Sequence, residues 1–238
     1  MNRIFSALVV SWLILAPSLS AHYLWVTVDQ KANNDQVANV YFEESPAPGD
    51  GHYLDHFIGT SKTWIRTLRQ PQPRLLTLAE MNEPEKRWLQ TPLQSSAPRS
   101  IDAYGKFGVY AYGKTKVLLH YYARNLDVRL HDDLHELGRA EQIALDIVPH
   151  DSEEQVELTV LWKGKPVAGR MVYIRGPGGF RKNPTTDQRG RVTFTPQQAG
   201  SYRFRSSVEE NIAGEERGEK YQLIRHNVTM LLTLPLEG

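Results

Sequence analysis

Short runs in which apolar and polar residues alternate recur along most of this chain, and a period of two predicts strands rather than helices. Tyr23 to Val28 alternates and is rich in aromatic and β-branched residues. Val37 to Phe42 repeats the pattern, and Thr63 to Thr67 is a further short strand carrying Trp64. Val117 to Ala123 is apolar at nearly every position, as expected of a strand buried on both faces. From Ala144 the pattern becomes regular. Strands are predicted at Ala144–Val148, Gln155–Trp162, Val167–Arg175, Arg191–Thr195, Ser201–Ser207 and Val228–Leu234. Turn signals lie between them, at Lys163-Gly164-Lys165-Pro166 and at Thr186-Asp187-Gln188-Arg189-Gly190, with a loop over Gly176–Pro184. Strands at this spacing predict an immunoglobulin-like sandwich. The expected fold is therefore all-β: an N-terminal β domain over residues 22–130, a boundary near 127–142, and an immunoglobulin-like sandwich over 143–238.

Other stretches break the pattern. Residues 69–99 are rich in Pro, Gln and charge and predict hairpins or loops. Gly105, Gly108 and Gly113 read as turn and bulge positions, since no phosphate-binding strand-turn-helix context surrounds them. Asn125 to Leu137 is polar and reads as a linker, although His131 and His135 stand at helical spacing within it. His52 and His56 share that spacing in a stretch that predicts a solvated helical turn. Glu209 to Lys220 reads as an acidic loop between two good strands.

The first 21 residues differ in kind. Arg3 supplies a positive start, Ile4 to Leu15 is an almost continuous apolar run, and Leu19-Ser20-Ala21 places small or tolerated residues at a cleavage point. This predicts an export signal removed after Ala21, and the run is short for a membrane span. Periplasmic or secreted localisation follows as an expectation. Setting Arg3 aside, the remaining basic residues equal the 27 acidic ones in number. A neutral chain argues against nucleic acid as a partner, and with no second long apolar run no permanent membrane anchor is expected.

The chain has no cysteine, which excludes thiolate metal sites, thiol nucleophiles and iron–sulfur clusters. Its eight histidines leave metal binding through nitrogen and oxygen open. Cleavage after Ala21 would make His22 the first residue. Its α-amine and imidazole could then chelate one divalent metal, because such an amine loses its proton near neutral pH.

The segments Ala-His-Tyr-Leu-Trp (21–25), Asn-Val-Tyr-Phe-Glu-Glu (39–44), Val-Leu-Leu-His-Tyr-Tyr-Ala-Arg (117–124), Ala-Leu-Asp-Ile-Val-Pro (144–149), Gly-Lys-Pro-Val-Ala-Gly (164–169), Thr-Asp-Gln-Arg-Gly-Arg-Val-Thr-Phe (186–194) and His-Asn-Val-Thr-Met-Leu (226–231) occur in an order that resembles the periplasmic domain-of-unknown-function family 4198. The Gly-Lys-Pro and Thr-Asp segments also occur in carboxypeptidase-regulatory-like sandwiches. The resemblance implies a periplasmic all-β protein, linked to nickel uptake, that binds a transition metal through its N-terminal histidine. Nickel is the first expectation, with copper, cobalt and zinc as alternatives, and a membrane transporter component is implied as a partner. The resemblance brings His226, His120 and Glu210 to the metal beside His22. It also carries a departure: relatives often have a histidine near position 208, where this chain has Val208.

Binding and delivery of metal, without catalysis, is the leading expectation. A copper-dependent oxidative enzyme with a histidine-brace site at His22 and one further histidine is the enzymatic alternative. A carbohydrate- or protein-binding sandwich in which the histidines hold no metal is the third. No catalytic triad or paired carboxylates stand out.

Overall fold

The computed structural model describes residues 22–94, 98–152 and 154–237, so the predicted export signal lies outside the described residues. In chain order the strands are β1 (Tyr23–Gln30), β2 (Gln36–Glu43), β3 (Lys62–Thr67), β4 (Gln70–Leu76), β5 (Ala79–Glu83), β6 (Lys86–Leu93), β7 (Arg99–Tyr112) and β8 (Thr115–Asp127). A short helix α1 (His131–Leu137) follows. Then come β9 (Leu145–Asp151), β10 (Val156–Trp162), β11 (Lys165–Pro166), β12 (Tyr173–Arg175), β13 (Arg181–Lys182) and β14 (Arg191–Phe194). The chain ends with β15 (Gly200–Glu210), β16 (Gly214–Glu216), β17 (Glu219–Tyr221) and β18 (Leu223–Leu234). The expected all-β class is what the chain adopts.

An eight-stranded sheet in the order β13-β12-β15-β18-β8-β7-β3-β4 forms the middle of the molecule. One of its faces meets the sheet β1-β2-β6-β5, and the other meets β9, β10, β11 and β14. Alternation along β8 shows why both faces are dry. Val117, Leu119, Tyr121 and Ala123 enter the core under β1 and β2, while Tyr122 and Leu126 enter the core under β9 and β10. Burying a large apolar side chain contributes about 1.5–3 kcal/mol, so a strand buried on both sides is an anchor for each layer. Residues 22–130 and 143–238 each build an outer sheet, yet they share the middle one. The joint is the parallel pairing of β18 with β8, in register from Leu223 beside Val117 to Leu232 beside Leu126.

Several local expectations are refined. Residues 69–99 form the hairpins of β4, β5 and β6, with Pro71 and Pro73 on β4, the edge strand of the middle sheet. There their missing N–H groups leave no ladder position empty. The glycines of residues 102–112 lie in one long strand, β7, whose register shifts between Lys106 and Gly108. Gly105 is pressed against the Phe57 ring, where a Cβ would collide. The linker expected over 125–137 is half strand and half helix. β8 runs on to Asp127, and α1 buries Leu134 and Leu137 in the core. The strand expected over 167–175 shrinks to Tyr173–Arg175. The acidic loop at 209–220 is a continuation of β15 followed by the β16–β17 hairpin. The turn expected at His52 and His56 is a 3-10 turn over Leu54–His56.

The short helix is held by a buried charge centre. Arg124, with no exposed surface, donates from Nε to Asp102 at 2.8 Å and from Nη1 to Asp146 at 2.7 Å. It also donates to the carbonyls of Gly138 and Leu137 at the end of α1. Arg66 caps the same region through the carbonyls of Leu137 and Arg139. Carbonyls that the helix end leaves without partners thus receive guanidinium protons.

Candidate metal site

His120 on β8 and His226 on β18 are direct partners in the parallel ladder, although they lie far apart in sequence. Partners in a pleated sheet point to the same face, so the two rings stack, with centroids 4.9 Å apart and planes at 23°. The Nδ1 of His120 meets the hydroxyl of Tyr104 at 2.9 Å, and the Nδ1 of His226 meets that of Tyr122 at 3.2 Å. Glu210, near the end of β15, brings a carboxylate oxygen to 3.0 Å from Nε2 of His226. Trp162 packs on the His226 ring at 4.2 Å, and Lys163 binds Glu210 at 3.1 Å. Three of the four expected site residues are therefore assembled at one place on one face.

The electrostatics suit a neutral donor set. Burial pushes the His120 imidazole down to about 4, helped by His226 and by Lys106. Burial also lowers His226, outweighing the opposite pull of Glu210. The Glu210 carboxyl is raised by burial but held below its usual range overall by hydrogen bonds from Lys163 and His226. Near pH 7 this gives two neutral imidazoles and one ionised carboxylate, the protonation states a metal requires. Without a metal, the Nε2–H of His226 donates to Glu210 and the Tyr122 hydroxyl donates to Nδ1. A tyrosine hydroxyl can also accept, so it can take an Nδ1–H while Nε2 offers its lone pair.

Two nitrogen donors and one oxygen fit zinc, nickel, copper or cobalt. Among the described residues no three His, Cys, Asp or Glu side chains already converge on one point. At this pair the near-parallel stacking means one ring must turn before both Nε2 atoms reach a common ion. The residue beside His226 on β15 is Val208. Val208 is buried and offers no donor.

His22 does not join the other three. Arg225 and Asn227 flank His226 on β18 and line a cavity of about 170 Å³ together with His22, Tyr53, Phe107 and Tyr112. Alternation therefore places His22 across the sheet from the His226 ring. The neighbours of His22 are Tyr53, edge-on at 5.1 Å, Phe42, and Glu43, whose carboxylate lies 3.7 Å from Nε2. Burial raises the Glu43 carboxyl, opposed by the Gly51 N–H and by His22. His52 and His56 pack on Tyr53 and Phe107.

Sequence reading missed Tyr104, Tyr122 and Trp162, the groups that orient the two imidazoles. Tyr122 was within reach of it, because a residue two beyond His120 shares its face of β8. Tyr104 and Trp162 come from other strands, and no local pattern points to them. Glu43 was visible beside Glu44, but nothing linked it to His22.

No family model matches the sequence, and no curated protein matches it. Among solved structures, similarity was found to pullulanase type I from Bacillus subtilis str. 168 complexed with maltose, at 13% identity and a TM-score of 0.20. A pullulanase from Anoxybacillus sp. LM18-11 is similar at 10% identity and a TM-score of 0.19. The alignments cover 88% and 84% of this chain, which spans 27% of the length of each enzyme. Likeness at this level carries nothing about the fold or chemistry of this chain. Among the described residues, no helix is long and apolar enough to cross a membrane.

Proposed function

We propose that this protein binds a divalent transition metal as cargo in an exported compartment, and captures or hands on the ion without transforming it. One observation carries the reading. His120 and His226 are registered on adjacent strands, each with Nδ1 on a tyrosine hydroxyl, and Glu210 stands at the Nε2 of His226. Orienting partners of this kind at the far nitrogen are what metal-binding imidazoles use. The donor set favours nickel, copper, cobalt or zinc over calcium or magnesium, which prefer oxygen. A transporter component as receiver of the ion belongs to the same proposal.

Calorimetric titration of each of the four ions into the purified protein tests the reading. Binding of at least one ion is expected, weakened about 100-fold or more in His226→Ala, since a ligand matters at least as much as its orienting partner. Unchanged binding of every ion in His226→Ala and His120→Ala would refute this site. The chelate at His22 belongs on the opposite face, with Glu43 as its carboxylate. It exists only if export leaves His22 first, which the N-terminal mass of natively exported protein decides. The histidine-brace alternative would need a second histidine at His22, and His226 and His120 lie across the sheet from it.

A second reading has its own observation. The cavity at His22 is walled by aromatic rings with Arg225 as its cation, which suits one small ring such as a sugar or an aromatic group. Saturable sugar binding by a protein that takes up none of the four metals would favour it.

A further inference from the structure

His131 and His135 stand four residues apart on α1, so both rings leave the same side of the helix. Their Nε2 atoms are 2.8 Å apart. Two neutral imidazoles brought this close through the same nitrogen form one hydrogen bond at most. The fold then adds a third ring. His150 on β9 lies with its centroid 5.6 Å from that of His131 and 5.0 Å from that of His135, while the helical pair is 4.5 Å apart.

These spacings can be compared with what a metal requires. An ion bound at about 2.0–2.1 Å by three imidazoles in tetrahedral directions holds their centroids about 5 Å apart. The three observed separations bracket that value. The interplanar angles of 83°, 64° and 66° are those of rings that surround a point rather than stack. Because the three nitrogens are not yet converged, side-chain rotation alone remains to be made, and His135 and His150 are exposed enough to make it. The supports are rigid: α1 is pinned by Leu134 and Leu137 in the core and by Arg124 at its last carbonyls, and β9 is paired with β10 along its whole length.

We propose that His131, His135 and His150 form a second, independent site for a divalent transition ion of the zinc, cobalt or nickel type, with the fourth position open. His131 and His150 line a cavity of about 1070 Å³, whose wall also carries Asp132, Asp151 and Glu154. Asp151 is close enough to feel both His131 and His150. An open position facing carboxylates and solvent is the arrangement of a site that exchanges its ligand, unlike a closed structural site.

Cobalt(II) titration of the full chain, followed by its visible ligand-field bands, tests the proposal. A site of three histidines with one open position should give intense bands. In the double variant His120→Ala/His226→Ala, where the buried pair cannot contribute, the bands should persist, and adding His135→Ala or His150→Ala to it should abolish them and weaken binding about 100-fold. Bands that survive both of those additions in the double-variant background would overturn the proposal. So would bands lost only when His120 and His226 are replaced. Because the two sites are altered separately, loss of one reading leaves the other standing.

Discussion

Two groups of histidines in this molecule sit in contrasting settings. His120 and His226 lie on the middle sheet, partly or wholly buried, stacked, and held at Nδ1 by tyrosines. His131, His135 and His150 ring an opening at the surface, set by helix spacing and by the edge of β9. The first setting tunes its imidazoles by burial. The second gathers three imidazole rings near the surface with little desolvation. A buried pair favours retention and selectivity, whereas an exposed cluster favours exchange. Under the two proposals above, the buried pair would retain an ion and the exposed cluster would exchange it.

The hardest way to break the comparison is through Arg124, which supports the exposed cluster from β8, an interior strand of the middle sheet. Arg124→Leu would leave Asp102 and Asp146 buried without a counter-charge and should cost about 3–5 kcal/mol in chemical denaturation. A loss under about 1 kcal/mol would mean that the charge centre is not what fixes α1.

A smaller change sharpens the contrast chemically. Val208→His would place a third imidazole directly across from His226 and should tighten metal binding at the buried pair about tenfold or more. Dialysis against a competing chelator reads the change, and unaltered affinity would show that the pair is not a site that a third donor can complete.

The buried pair should also respond to pH in its own way. Burial depresses His120 to about 4 in the folded chain, against 6.5 when unfolded. Between those values the unfolded chain binds a proton that the folded chain refuses, so stability should fall as pH drops from 6.5 towards 4. The slope should flatten in His120→Asn. Denaturation midpoints at about pH 7, 6, 5 and 4.5 read this, and identical slopes for the two proteins would contradict the assigned cause.

The smallest effect is expected at the orienting groups. Tyr104→Phe removes the hydroxyl at Nδ1 of His120 and should weaken metal binding about 10-fold, within the range seen for such partners. It should leave cobalt bands at the exposed cluster unchanged. A loss at both sites would point to a general change in the fold.

Much of the architecture was readable from local pattern. The alternation in Tyr23–Val28, Gln155–Trp162 and Ser201–Ser207 returns as β1, β10 and β15. The bulge signal at Gly108 returns as the register shift in β7. The reading of 125–137 as linker failed because the polar run hides two core leucines, Leu134 and Leu137, on one side of a two-turn helix. The candidate site was legible in part. His120, His226 and Glu210 meet, but His22 falls on the other face, because Arg225 and Asn227 rather than His226 point towards it.

By itself, the sequence determined the class of fold and narrowed the donor types: a period of two predicts strands, and a chain without cysteine has no thiolate to offer a metal. It also determined that His131 and His135 share a side of any helix they form. Only the tertiary structure decided that β18 runs parallel to β8 with His226 beside His120, and that β9 brings His150 to the helical pair. The reason is physical. Which way a side chain faces is set by its immediate neighbours along the strand, whereas which strand lies alongside is set by burial summed over whole sheets.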